Sequence, residues 1–132
     1  SPEARTELQV LASVVGRIVD TAYDVFDKQD MNLTRDVEPL EEMVDELSRE
    51  MKHRHVNRLR SGECTIEMGF ILTDLLTSLE RIADHCSNIS VCVTQVRENL
   101  YDTHSYLESL KNEPDEGYYN RLEELQREYV LP

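Results

Sequence analysis

Apolar residues recur at intervals of three and four along most of the chain. The first run is Leu8, Leu11, Val15, Ile18, Ala22 and Phe26, a spacing that lays one stripe on a helix. It predicts a helix over residues 3–28, with Pro2 suited to the start and a turn at 29–32. The second run is Val37, Leu40, Val44, Leu47 and Met51. Thr34 or Asp36 is expected to cap it, with Pro39 tolerated in the first turn. Ser61-Gly62 is its expected end, because glycine suits a left-handed C-terminal cap. The third run is the longest: Leu72, Leu75, Leu79, Ile82, Cys86, Ile89, Val93, Val96 and Leu100. It predicts a helix from 65 to beyond 100. A break at Asn112-Glu113-Pro114-Asp115 and a short amphipathic helix over 118–129 follow. No strand-like alternation and no repeated segment occurs. The pattern predicts an all-α fold: an up-down-up three-helix bundle over 1–110, then an extension over 111–132 with a short helix.

The length of 132 residues suits a single core. The net charge of -13 repels phosphate backbones and anionic lipid, so neither nucleic acid nor a membrane surface is an expected partner. No apolar run of bilayer length occurs, so direct membrane insertion is not expected. The chain begins Ser-Pro-Glu-Ala-Arg, without Met or an apolar leader, as expected of a piece of a longer protein. Cys64, Cys86 and Cys92 are odd in number and form no CxxC. That favours free thiols in a reducing compartment.

Acidity changes the picture most where it is spaced. Glu80 and Asp84 stand one turn apart on the third helix, across from its predicted apolar stripe. Glu41 and Asp45 do the same on the second helix, and Asp20 and Asp24 on the first. Two carboxylates at this spacing can share a cation. With 27 acidic residues in 132, chance alone supplies about five such pairs, so a hydrated acidic face stands beside the metal reading. On antiparallel helices the Glu80/Asp84 and Glu41/Asp45 faces are expected to converge beside the seam. A divalent or trivalent ion would relieve their repulsion. His85 would add a nitrogen ligand, favouring zinc or iron over calcium.

The remaining candidates are weaker. Glu50-x-x-His53 has di-iron spacing, but such sites need two of these pairs and the chain holds one. His53, His55 and His104 read as surface histidines, and Cys86 as a small core residue. Five of the 14 basic residues lie between Arg49 and Arg60, where the second helix's dipole favours cations. Arg54, Arg58 and Arg60 are also a candidate anion site. No catalytic nucleophile, charge triad or phosphate-cradling glycine loop is visible, so a non-enzyme is expected.

Leu79-Glu80-Arg81-Ile82-Ala83-Asp84-His85-Cys86-Ser87-Asn88-Ile89 resembles the hallmark of PhoU proteins. That hallmark is Leu-Glu-Arg-Ile-Gly/Ala-Asp-His-small-x-Asn-Ile, on the last helix of a three-helix unit. Glu41-Glu42-Met43-Val44-Asp45-Glu46-Leu47 resembles the family's second-helix carboxylate motif. The resemblance spans residues 8–100. A PhoU protein proper has two such units. One unit with a short extension is more similar to the cytoplasmic tail of bacterial sodium-dependent phosphate cotransporters. The resemblance implies a regulatory domain of phosphate uptake at the cytoplasmic face of the membrane, with the transporter portion of the same protein as partner. It also implies metal on Glu80 and Asp84, on Glu41 and Asp45, and, by a weaker match, on Asp20 and Asp24. A homodimer would restore the missing second unit by an isologous contact. Two other functions compete: a metal-dependent carboxylate-bundle enzyme and a structural oligomerisation module.

Overall fold

A computed structural model of the protein describes residues 1–98 and 115–132. Four helices are found there: α1 (Pro2–Lys28), α2 (Thr34–Arg60), α3 (Ile66–Glu98) and α4 (Glu116–Glu128). Strands are absent among the described residues. Helices α1, α2 and α3 pack against one another in all three pairings, and α4 lies on α2. The architecture is the expected three-helix bundle with a short C-terminal helix. Leu100, His104, the 112–114 break and the 110/111 boundary lie outside the described residues.

Local chemistry sets the helix ends. Ser1 caps α1 by accepting from the Ala4 N–H at 3.2 Å, and Gln29 ends it in the left-handed region. At the end of α2, Glu63 N–H donates to the Arg58 carbonyl at 2.9 Å and Gly62 N–H to the Leu59 carbonyl at 3.2 Å. This is a Schellman closure, and Gly62 takes the φ of 77° it requires. The start of α2 departs from expectation. Neither Thr34 nor Asp36 caps it. Leu33 is the cap residue and offers no side-chain bond, while the Thr34 hydroxyl donates to the Met31 carbonyl at 2.7 Å. Pro39 falls in the second turn, so the Arg35 carbonyl lacks its helical donor. Arg35 is exposed, and water can serve it.

The core is formed by Leu11, Val14, Ile18, Ala22 and Val25 of α1, Val37, Leu40, Val44 and Met51 of α2, and Leu72, Leu76, Ala83 and Cys86 of α3. Two predicted stripes are thereby corrected. On α1 the core side passes from Ala22 to Val25, and Phe26 is exposed. A three-residue step stays on the face that a four-residue step leaves. On α3 the buried side is turned toward small residues, Ala83, Ser87 and Ser90, which let neighbouring backbones approach closely. Leu75, Ile82, Ile89 and Val96 are left 40, 41, 42 and 77% exposed. They form one edge at strict seven-residue intervals.

Candidate functional site

The turn of α3 relocates the expected carboxylates. Glu80 is not outward. It is half-buried and accepts from Lys52 Nζ on α2 at 2.8 Å. Asp84 and His85 are exposed. On α2, Glu41 is buried and Asp45 half-buried, and both interact with other groups. Among the described residues, no three His, Cys, Asp or Glu side chains lie together in a way that could hold a metal. The predicted convergence of four carboxylates is therefore not found in the single chain. Asp20 is exposed, and Asp24 pairs with Lys28 at 2.9 Å. The two border an open cavity of about 390 Å³, together with Arg17 and Tyr129.

Helix α4 explains the burial of the α2 carboxylates. Asp115 caps it, accepting from the Tyr118 N–H at 2.8 Å, and Leu125 is fully buried. Arg121 pairs with Asp36 at 2.9 Å. The Gln126 amide donates to both Glu46 oxygens at 3.1 and 3.0 Å. Arg17 of α1 donates to Glu128 at 2.7 Å and to the Tyr129 hydroxyl at 3.1 Å. These bonds raise the Arg17 pKa, Tyr129 contributing most, and Arg17 in turn holds Glu128 below the usual carboxylate range. Tyr118 is pushed up to about 12, first by burial and then by Glu42, Glu38, Glu41 and Glu46. The α2 face beneath α4 is thus a field of negative potential covered by a phenol, a guanidinium and an amide.

The basic cluster is also differently used. Arg58 is buried and forks onto Glu7 of α1, at 2.9 Å to Oε1 and 3.0 Å to Oε2. Arg54 reaches Glu7 at 3.4 Å and Glu50 at 2.9 Å and donates to the Pro132 carbonyl. The helix dipole is thus a minor part of why Arg58 is there. Two of the three guanidiniums named as an anion site already hold carboxylates, and Arg60 is exposed.

Sequence reasoning missed three groups: buried Glu7, buried Glu38, and a contact between His55 and Cys64. Glu38 accepts from the Ser87 hydroxyl, and its other oxygen is buried without a hydrogen-bond partner. Glu7 had one available signal, since it sits four residues before Leu11 on the same side of α1.

The motif from Leu79 to Ile89 occupies the middle of α3, the last helix of the three-helix unit. The family model described as PhoU domain matches residues 8–93, which run from the first turns of α1 to near the end of α3. The chain belongs to the PhoU domain family. Helix α4 lies beyond the matched PhoU segment. A similar curated protein is the "Phosphate-specific transport system accessory protein PhoU homolog 1" of Thermotoga maritima, 24% identical over 87 residues. That alignment covers 66% of this chain and 38% of the relative, so the match spans well under half of that protein. No solved structure matches.

Proposed function

We propose that this PhoU domain is a regulatory module of phosphate uptake, carried as the cytoplasmic tail of a sodium/phosphate cotransporter. The observation that carries the reading is the family match over one three-helix unit, with a relative named for phosphate-specific transport and more than twice the matched length. No described helix is long and apolar enough to cross a membrane. The carboxylate-bundle enzyme is the less supported reading, because the family match is to the PhoU domain.

The same reading includes a homodimer. The exposed edge of Leu75, Ile82, Ile89 and Val96 repeats every seven residues, the interval that keeps two helices in register along a supercoil. In an antiparallel pair, Ile82 of one copy meets Ile89 of the other, and Leu75 meets Val96. The two-fold axis then falls beside His85, which flanks this edge, so the two His85 imidazoles lie close together, while Asp84 is on the far side of α3. Zinc or iron is proposed there, shared between copies.

The test is deletion of the segment encoding residues 1–132 from its parent gene, followed by measurement of labelled phosphate uptake in cells at low and high phosphate. Uptake that no longer declines at high phosphate supports regulation. Uptake with unchanged dependence on phosphate overturns it. Membrane-spanning segments in the same reading frame support the tail assignment, and their absence removes it.

A further inference from the structure

The turn between α2 and α3 holds a different chemistry. Cys64 Sγ lies 3.6 Å from Nδ1 of His55. His55 is only 8% exposed, and its other ring nitrogen, Nε2, is buried with no hydrogen-bond partner in the structure. That nitrogen faces Gly69 of α3, where an added Cβ would come within 2.7 Å of it. A glycine on α3 therefore opens the space the imidazole fills. The thiol has one further acceptor, the Thr65 carbonyl at 3.8 Å, and His55 is the nearer. With Nδ1 accepting from the thiol, the ring hydrogen lies on Nε2, and Nδ1 is free to take a proton. The ring is closed off from water while the sulfur is partly open.

We propose that Cys64 and His55 form a thiol–imidazole dyad, and that Cys64 is a site of thiol–disulfide exchange with low-molecular-weight disulfides. The Cys64 sulfur attacks one sulfur of the disulfide as its proton passes to His55 Nδ1. The disulfide bond breaks, and the departing thiolate takes that proton from Nδ1. The products are a mixed disulfide on Cys64 and one free small thiol, and the small disulfide is the only oxidant required. A second feature favours the attack. Thr65 caps α3, its hydroxyl accepting from the Met68 N–H at 3.3 Å and its carbonyl from the Gly69 N–H at 3.2 Å. Cys64 therefore stands at the N-terminal end of a 33-residue helix, the end that carries the positive pole of the helix dipole. Cys86 is the contrast: it is buried, burial pushes its thiol up, and it has no imidazole partner.

The experiment exposes the intact chain to glutathione disulfide at neutral pH and follows each cysteine by mass spectrometry. Cys64 is expected to acquire glutathione about ten-fold or more faster in the folded chain than in the urea-unfolded chain. Cys86 is expected to stay free until the chain unfolds. His55→Gln should return Cys64 to within about two-fold of the unfolded rate. Gly69→Ala, which raises helix propensity while crowding the ring, should do the same with the helical circular dichroism intact. It separates lost chemistry from lost fold if His55→Gln does not fold. A folded rate no faster than the unfolded one overturns the dyad, as does an unchanged rate in folded Gly69→Ala.

Discussion

Glu7 near the start of α1 takes both terminal nitrogens of Arg58 near the end of α2, from 51 residues away. The carboxylate is 1% exposed and the guanidinium 6%. Two charges are thus removed from water and paired, with Arg54 adding a longer contact to Glu7 at 3.4 Å, which ties the N-terminal end of α1 to the last turn of α2.

A buried pair of this kind is costly to break and less costly to replace. Glu7→Leu strands the Arg58 charge and is expected to lower stability by about 3 kcal/mol or more. Glu7→Leu combined with Arg58→Met should recover most of that loss. Urea unfolding of the two single variants and the double variant checks this. Losses that simply add would show the two residues to be uncoupled.

Tyr118 gives a pH dependence with a definite sign. Its phenol titrates at about 12 in the fold against an ordinary 10, so folding favours the protonated form. The stability it contributes is fully present below the unfolded value. It is lost as pH rises from about 10 through about 12. Ultraviolet titration should show one of the six tyrosines ionising late, and Tyr118→Phe should abolish that step. A single ionisation step shared by all tyrosines would contradict the half-buried placement of Tyr118 beside the α2 carboxylates.

Self-association along α3 is expected to be salt-dependent, because each copy carries a net charge of -13. Added salt screens that repulsion, so the dimer fraction in sedimentation should rise with ionic strength. Ile82→Glu with Ile89→Glu should leave monomers at every concentration. Zinc should increase association in the parent chain and not after His85→Asn. Purely monomeric wild type at high concentration and high salt would remove the α3 contact.

The fold was largely legible because its signals are local. Three periodic stripes, Gly62 at a helix end and the acidic and amide residues of the last segment set the elements without long-range knowledge. The site was less so, for reasons visible at single residues. Hydrophobicity alone assigned Leu75, Ile82 and Ile89 to the core, whereas close packing chose Ala83, Ser87 and Ser90. That rotation turned Glu80 toward Lys52, a contact across 28 residues that no spacing rule on one helix contains. Glu41 looked outward because α2 was considered without α4. Arg58 looked like a surface cation because its partner lies on α1. The His55–Cys64 contact spans a turn whose closure depends on Gly62, and sequence spacing gives no measure of it.

Pro39 has a consequence for how the molecule opens. The first turn of α2 lacks one internal hydrogen bond and a side-chain cap, so little within the helix resists its fraying. From outside, Arg121 restrains it through Asp36, next to the buried Val37 and the Ser87–Glu38 hydrogen bond. Release of α4 and melting of the α2 entrance should therefore behave as one cooperative event with a shared free energy. Amide hydrogens at the start of α2 and along α4 would then exchange together. Any ligand that captured the uncovered acidic face would draw both segments into the open state at once.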